Sequence, residues 1–162
     1  MRRIVLLLGL MGVMVAFSAT AAFAETEYGT NGNDTLVGTA EEDALYGLGG
    51  DDLIRGLGGF DWLVGGRGND TVRGSGGDDF IFGGPGNDTA YGGDLFDVIE
   101  GGRGSDVTFG GAGSDDFYLQ DGVQGNDFAV CGVGNDDWAF VDSVDEADIT
   151  TCENISTEPP PE

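Results

Sequence analysis

The sequence predicts an all-β fold, a flattened parallel solenoid, from three observations. A nine-residue unit recurs ten times without interruption over residues 29–118. The sixth residue of every one of these units is Asp, and the eighth is apolar in all of them except at Thr108. Internal repetition at a fixed short period is the sequence signature of a solenoid, in which each unit stacks on its neighbours.

Each unit divides into a loop of six residues and a strand of three. Unit 65–73 reads Gly-Gly-Arg-Gly-Asn-Asp-Thr-Val-Arg. Glycines at the first, second and fourth positions allow positive φ angles, so that a tight loop can turn its carbonyl oxygens inward. Asp70 adds a carboxylate on a short stem, and Val72 is expected to face the interior from the strand. Hard oxygen ligands on a flexible loop suit Ca²⁺, which takes roughly six to eight of them.

Stacked units place loops alternately at two edges, so that eighteen residues make one turn. Aspartates on the same edge would lie about 4.8 Å apart, at the usual strand spacing. Their repulsion is roughly 1 kcal/mol per pair in bulk water and more where water is excluded. Several Ca²⁺ ions between consecutive loops would remove this repulsion, and without them we expect the chain to be largely unfolded.

The candidate metal ligands are the sixth-position aspartates. A three-residue insert at 119–121 shifts the phase, and two further units are expected to begin at Gly122 and Cys131. A degenerate unit at 140–148 keeps only Asp145. The predicted ligands are Asp34, Asp52, Asp61, Asp70, Asp79, Asp88, Asp97, Asp106, Asp115, Asp127 and Asp136.

The repeat resembles that of the RTX, or hemolysin-type, calcium-binding family, whose pattern is G-G-x-G-x-D-x-U-x with U a large apolar residue. The resemblance covers residues 29–139. It implies a right-handed parallel β-roll in which the sixth-position carboxylate and loop carbonyls hold Ca²⁺. Glu41 and Leu95 depart from the pattern at the fourth position.

The two edges are expected to differ. Loops that begin at residues 29, 47, 65, 83 and 101 form the first edge, and all of them keep Gly at the fourth position. Loops that begin at residues 38, 56, 74, 92 and 110 form the second edge, which carries Glu41, Leu95 and the bulky Phe60 and Phe96. We therefore expect weaker or missing ions at the second edge.

Composition favours bound cations over other partners. The formal net charge is −24, with no His and with Arg as the only basic side chain. Nucleic acid and anionic membranes would be repelled by such a surface. Without His or Lys, the usual general base, the Ser-His-Asp triad and the P-loop are absent. The sequence thus predicts that the protein is not an enzyme.

Four segments are expected along the chain. Residues 1–24 have the features of an export signal: Arg2 and Arg3, an apolar run, and a small-residue cleavage site ending at Ala24. The alternative is an uncleaved membrane anchor, since the apolar stretch is nearly long enough to span a bilayer. The repeat domain follows at 25–139, a C-terminal cap at 140–158 and a tail at 159–162. We expect a secreted, extracellular bacterial protein that has no membrane contact after cleavage.

Cys131 and Cys152 are the only two cysteines. In an exported chain an even number of cysteines favours a disulfide, and two free thiols are the alternative.

A row of aromatic residues is expected on the outer face of one sheet. Exposed apolar patches often mark interfaces, which suggests a surface glycan or a protein as partner. The alternative is that aromatic side chains are simply favoured in strands. The predicted face consists of Tyr46, Trp62, Phe80, Phe82 and Tyr118.

Overall fold

The structure is a computed structural model that describes residues 25–120, 127–134, 136–141 and 149–157, with the backbone alone at 149–150. Fifteen strands in this part of the chain form two sheets, and every pairing is parallel. The predicted all-β solenoid is confirmed. The predicted signal segment 1–24, Asp145 and the tail 159–162 lie outside the described residues. The described part of the chain contains no helix of the length and hydrophobicity needed to cross a bilayer.

Consecutive strands alternate between the two sheets, as a flattened roll requires. The eight-stranded sheet has the order β1 (Glu25–Tyr28), β3 (Asp43–Gly49), β5 (Trp62–Arg67), β7 (Phe80–Pro85), β9 (Val98–Arg103), β11 (Asp116–Leu119), β13 (Trp138–Val141), β15 (Asn154–Ser156). The seven-stranded sheet has the order β2 (Thr35–Val37), β4 (Leu53–Arg55), β6 (Thr71–Gly76), β8 (Thr89–Asp94), β10 (Val107–Ala112), β12 (Phe128–Val133), β14 (Ile149–Thr150).

The register of the strands repeats the period of the sequence. Leu45 pairs with Leu63, and Leu63 pairs with Ile81, each one turn of eighteen residues further along the chain. Side chains alternate between the two faces of a strand, so each three-residue core strand turns its middle residue inward. The eighth-position residues therefore form one column beneath each sheet.

The core between the sheets is narrow. Its described members, all buried, are Leu36, Leu45, Ile54, Leu63, Val72, Ile81, Ala90, Ile99, Phe117, Leu119, Ala129, Cys131, Ala139 and Val141. Thr108 occupies the same kind of position and is also buried, with its hydroxyl oxygen 3.4 Å from the Phe128 carbonyl oxygen. Because this core is narrow, the loops at the two edges must contribute much of the stability of the fold.

The last complete unit has a different register from the one predicted. The expected phase puts Asp136 at the sixth position and Trp138 inward, but Asp116 pairs with Trp138, and Phe117 pairs with the buried Ala139. One additional residue is absorbed in the loop, where Asp136 adopts a φ of 72°. Asp tolerates this left-handed conformation better than most residues do. Trp138 consequently points outward, and Asp137 takes the place predicted for Asp136.

The C-terminal segment continues both sheets. Ala129 pairs with Ile149 in one sheet, and Ala139 pairs with Ile155 in the other. A disulfide joins Cys131 to Cys152, with the two Cα atoms 5.0 Å apart. The predicted disulfide is therefore present, and it ties the final turn to the turn before it.

Candidate metal centre

Two columns of buried carboxylates run along the edges of the roll. Each carboxylate follows its loop and precedes its strand, so the repeat that aligns the strands also aligns the carboxylates. The buried aspartates are Asp43, Asp52, Asp61, Asp70, Asp79, Asp88, Asp97, Asp106, Asp115, Asp127 and Asp137. Of the predicted ligands, Asp34 is only half-buried at the first loop, and Asp136 is exposed in its turn.

One oxygen of each carboxylate is used to join neighbouring turns. The Asp52 N–H donates to Asp70 Oδ1 at 2.8 Å, and the Asp70 N–H donates to Asp88 Oδ1 at 2.7 Å. The second edge repeats the contact, with the Asp79 N–H 3.0 Å from Asp97 Oδ1. Every step spans eighteen residues where no insert intervenes. These bonds fix one face of each carboxylate and leave its other oxygen, Oδ2, pointing into its own loop.

The Oδ2 oxygens are buried without a hydrogen-bond donor at most of these positions. Burying a carboxylate oxygen without a partner costs more than burying a neutral group, because a charge loses its hydration. A buried carboxylate oxygen that lacks a donor is stabilised by a bound proton or a bound cation. The oxygens concerned belong to Asp52, Asp61, Asp70, Asp79, Asp88, Asp97, Asp115 and Asp137.

Main-chain carbonyl oxygens of the next turn lie near the Oδ2 oxygens. A Cβ placed on Gly65 would lie 2.5 Å from Asp70 Oδ2 and 2.7 Å from the carbonyl oxygen of Gly83 in the next turn. A Cβ on Gly68 would collide with the carbonyl oxygen of Gly50 in the preceding turn. Glycine at these positions therefore lets the carboxylate and the carbonyl oxygens of neighbouring turns approach the loop backbone closely.

Burial shifts the protonation of the carboxylates strongly. Desolvation is the main cause, and neighbouring aspartates in the column add to it. The pKa of Asp97 is raised to about 8, and the pKa values of Asp79 and Asp88 are raised to about 7. Asp61 and Asp70 have pKa values raised to about 6 by the same burial. Without a cation, Asp97 is mainly protonated at neutral pH, whereas Asp79 and Asp88 are near the midpoint of their titration.

The oxygen atoms around each loop fit a hard cation with oxygen ligands. Among the described residues, no three His, Cys, Asp or Glu side chains gather into one cluster. A loop such as 65–70 instead offers one carboxylate together with main-chain carbonyls. Ca²⁺ accepts mixed sets of carboxylate and carbonyl oxygens at flexible geometry, whereas Zn²⁺ prefers a few N and S ligands.

The first two loops differ from the others. The Thr30 N–H donates to Asp34 Oδ2 at 2.6 Å, and the Thr39 N–H donates to Asp43 Oδ2 at 2.6 Å. Both Oδ2 oxygens are therefore satisfied within their own loops. The contact with Thr30 sets Asp34 apart from the other predicted ligands. Asp43, which was not among the predicted ligands, has the same kind of partner in Thr39.

The departure at Leu95 does not change its loop. Leu95 adopts the positive φ of 81° that glycine takes at most fourth positions. Asp97 at the end of the same loop is fully buried, and its Oδ2 lacks a donor as on the first edge. The carboxylate arrangement is thus common to both edges.

A second ladder at the fifth position runs along the first edge and was not anticipated from the sequence. The Asn69 N–H donates to Asp51 Oδ1 at 2.8 Å, and the Asn87 N–H donates to Asn69 Oδ1 at 2.9 Å. Similar bonds join Asn33 to Asp51 and Asn87 to Ser105. Among the described residues, the second edge has one bond of this kind, from the Phe96 N–H to Asp78 Oδ1 at 3.2 Å. The signal was the Asn or Asp at the fifth position of alternate units.

The predicted aromatic face is divided into clusters. Trp62 lies against Phe80 and Phe82, with ring centroids 5.6 Å and 4.9 Å apart, and is 39% exposed. Tyr46 stacks on Tyr28 at one end of the sheet. Tyr118 stacks on Phe140 at the other end, separated from Phe82 by Glu100 in the register.

Comparison with known families agrees with the geometry. The family model described as RTX calcium-binding nonapeptide repeat (4 copies) matches residues 28–63, 55–90 and 91–128. No match to a curated protein is found. The matched residues span well over half of the chain and include most of the carboxylate columns. This chain belongs to the RTX calcium-binding nonapeptide repeat family, and its β-roll is a calcium-binding fold.

Proposed function

We propose that the protein binds several Ca²⁺ ions between consecutive loops at both edges of the roll, and that these ions hold the roll folded after export. The observation that supports this most directly is a set of buried Oδ2 oxygens that have no donor and lie near a carbonyl of the next turn. They belong to Asp52, Asp61, Asp70, Asp79, Asp88, Asp97 and Asp115. A bound ion would neutralise the carboxylates and supply the missing partner.

The ligands would come from the chain in a regular way. Each ion would take the Oδ2 of one sixth-position aspartate together with carbonyl oxygens of glycine-rich loop positions. The aspartates we propose for this role are Asp52, Asp61, Asp70, Asp79, Asp88, Asp97, Asp106, Asp115, Asp127 and Asp137. Asp137 stands in this list in place of Asp136, because Asp137 is the carboxylate that accepts from the Asp115 N–H.

The composition explains why metal would decide folding. The interior holds no more than two side chains from any described strand, and the 32 glycines of the chain lose more backbone entropy on folding than other residues do. A formal charge of −24 adds repulsion in the compact state. We infer that the chain, carried outside the cell by the segment predicted at 1–24, meets enough calcium there to fold.

Titration with calcium tests the proposal. Circular dichroism and calorimetry on the mature chain should show a gain of β structure together with heat of binding. We expect a midpoint of roughly 10⁻⁴–10⁻³ M, the range of extracellular calcium modules. Mg²⁺ at the same concentration serves as the control, since it demands near-octahedral geometry. Unchanged structure after exhaustive chelation and calcium return would contradict the proposal.

We infer a binding role rather than catalysis. The chain has no His and no Lys, and the buried carboxylates are the groups that we propose as calcium ligands. Incubation with common glycoside and peptide substrates should show no turnover.

A second candidate function rests on the aromatic cluster of Trp62, Phe80 and Phe82. These rings form an exposed apolar surface on the rigid eight-stranded sheet, which suits adhesion to a protein or to the apolar face of a sugar. Alanine at Trp62 and Phe82 should abolish glycan retention or self-association in calcium while leaving calcium-induced folding intact. Unchanged association in the double variant would remove this candidate.

A further inference from the structure

We propose that Thr30 and Thr39 close the first two loops to calcium, so that metal binding begins at loop 47–52. The inference rests on the proposed function and adds to it the residue position that determines which loops bind calcium. It concerns the second loop position, whose side chain and φ angle decide whether the loop supplies its own donor to the carboxylate.

The first loop satisfies its carboxylate locally. Asp34 Oδ2 lies 2.6 Å from the Thr30 main-chain nitrogen and 2.7 Å from Thr30 Oγ1. The Gly32 N–H donates to the same hydroxyl oxygen at 3.1 Å. The threonine therefore places two donors on Asp34 Oδ2, whereas the Oδ2 oxygens of Asp52 and Asp61 in the next two loops have none.

The second loop repeats this arrangement. Asp43 Oδ2 lies 2.6 Å from the Thr39 nitrogen and 3.1 Å from Thr39 Oγ1, and the Glu41 N–H donates to that hydroxyl at 3.1 Å. The two loops belong to opposite edges, so the shared geometry follows from the shared threonine rather than from the edge.

The later loops differ at the second position. Leu48, Leu57 and Ser75 have φ angles of 76°, 89° and 92° there, and glycines with positive φ occupy the others that the structure describes. The Leu57 N–H consequently donates to the Gly74 carbonyl of the next turn at 3.0 Å instead of to its own carboxylate. A β-branched residue such as Thr strongly resists positive φ, which explains why the threonine loops alone turn the N–H inward.

The closed loops give the roll an end that does not depend on metal. The Glu25 N–H donates to Asp43 Oδ1 at 3.0 Å, which attaches β1 to the second loop. The Asp34 and Asp43 main-chain N–H groups donate in turn to Asp52 Oδ1 and Asp61 Oδ1, the carboxylates of the first two open loops. The first turn thus orients the carboxylates at which calcium binding would start.

Counting ions per chain tests the inference. Native mass spectrometry and calorimetry of the mature chain should give the same number of Ca²⁺ ions for wild type and for the double variant Asp34→Asn/Asp43→Asn. The matched double variant Asp70→Asn/Asp79→Asn should bind fewer ions. A loss of ions in the Asp34→Asn/Asp43→Asn protein would overturn the inference.

The converse variant opens the loops. Thr30→Gly/Thr39→Gly should bind up to two more Ca²⁺ ions than wild type, whereas Ser75→Gly, in a loop that already has positive φ, should leave the number unchanged. Amide exchange gives a readout independent of ion counting: the Thr30 and Thr39 N–H groups should be protected in the wild type and lose protection in Asp34→Ala/Asp43→Ala, which removes the accepting oxygens.

The outcomes separate this inference from the proposed function. A wild-type chain that binds no calcium would contradict both the proposed function and the threonine inference. Calcium binding with an unchanged ion count in a folded Thr30→Gly/Thr39→Gly protein would overturn only the threonine inference. If that variant does not fold, the asparagine pair decides alone.

Discussion

The main-chain N–H of Asp70 donates to Oδ1 of Asp88 at 2.7 Å, although the two residues are eighteen positions apart. Asp88 Oδ2, on the same carboxylate, is buried without a donor. One oxygen thus joins two turns of the roll, and the other is available to a cation. Because both oxygens belong to one carboxylate, a substitution at such an aspartate should lower both the stability of the roll and its affinity for calcium.

Replacing a central carboxylate should weaken calcium-induced folding. Asp88→Asn keeps an oxygen for the Asp70 N–H but removes the charge from the proposed ligand. We expect the calcium midpoint to rise at least about tenfold, since losing even a group that only orients a ligand costs ~10–100-fold in affinity. Circular dichroism during calcium titration measures it. Asp94→Asn, at the exposed end of β8, is the control and should leave the midpoint unchanged; equal shifts in the two variants would contradict the assignment.

The metal-free roll should lose stability as pH rises. The pKa of Asp97 is raised from 3.8 to about 8, and that of Asp79 to about 7, mainly by desolvation. Between about pH 4 and pH 8 the folded state holds protons that the unfolded state has released, so deprotonation favours unfolding over this window. Circular dichroism in calcium-free buffer should therefore show a smaller folded fraction at pH 8 than at pH 5.

Bound calcium should remove most of the loss of stability at high pH that the raised aspartate pKa values cause. A bound cation stabilises the charged carboxylates, so the calcium-saturated protein should lose much less stability over the same pH range, and binding at pH 6 should release protons. Greater stability at pH 8 than at pH 5 without calcium would contradict this account.

Adding a methyl group at Gly68 should disrupt the roll. Gly68 has a φ of 127°, and a Cβ there would collide with the carbonyl of Gly50. We expect Gly68→Ala to cost about 1–3 kcal/mol in calcium, the usual cost of a residue held in an unfavourable backbone region. Chemical denaturation measures this loss. Gly49→Ala is the matched control, because the nearest atom to its Cβ would be 3.6 Å away. Comparable losses in the two variants would show that the close approach at Gly68 is unimportant.

Removing the disulfide should destabilise the C-terminal end. The bond closes a sequence separation of 21 residues, for which the chain-entropy model gives about 3 kcal/mol. The double variant Cys131→Ala/Cys152→Ala should unfold at correspondingly lower denaturant concentration in calcium. Reductant should lower the stability of the wild type and leave the variant unaffected. A wild type that is insensitive to reductant would show that the bond contributes little.

The repeat itself determined most of the architecture. Apolar residues such as Leu63 and Ile81, eighteen positions apart, can share a column only if each unit supplies one strand and consecutive units alternate sheets. The sixth-position Asp and the glycines predicted the location of the carboxylates for the same reason. The two-sheet roll, the edge columns and the disulfide could therefore be inferred without coordinates.

The tertiary structure decided what depends on contacts between turns. Asp136 and Asp137 are adjacent and chemically identical, and only the pairing that buries Ala139 beside Phe117 selects Asp137 for the column. Likewise, Asp34 matches the repeat perfectly, yet the φ preference of Thr30 directs a backbone N–H onto its carboxylate. A one-dimensional period specifies which residues can share a column. Whether a carboxylate oxygen has a hydrogen-bond donor depends on the orientation of the loop backbone. That orientation is set only when the turns pack together.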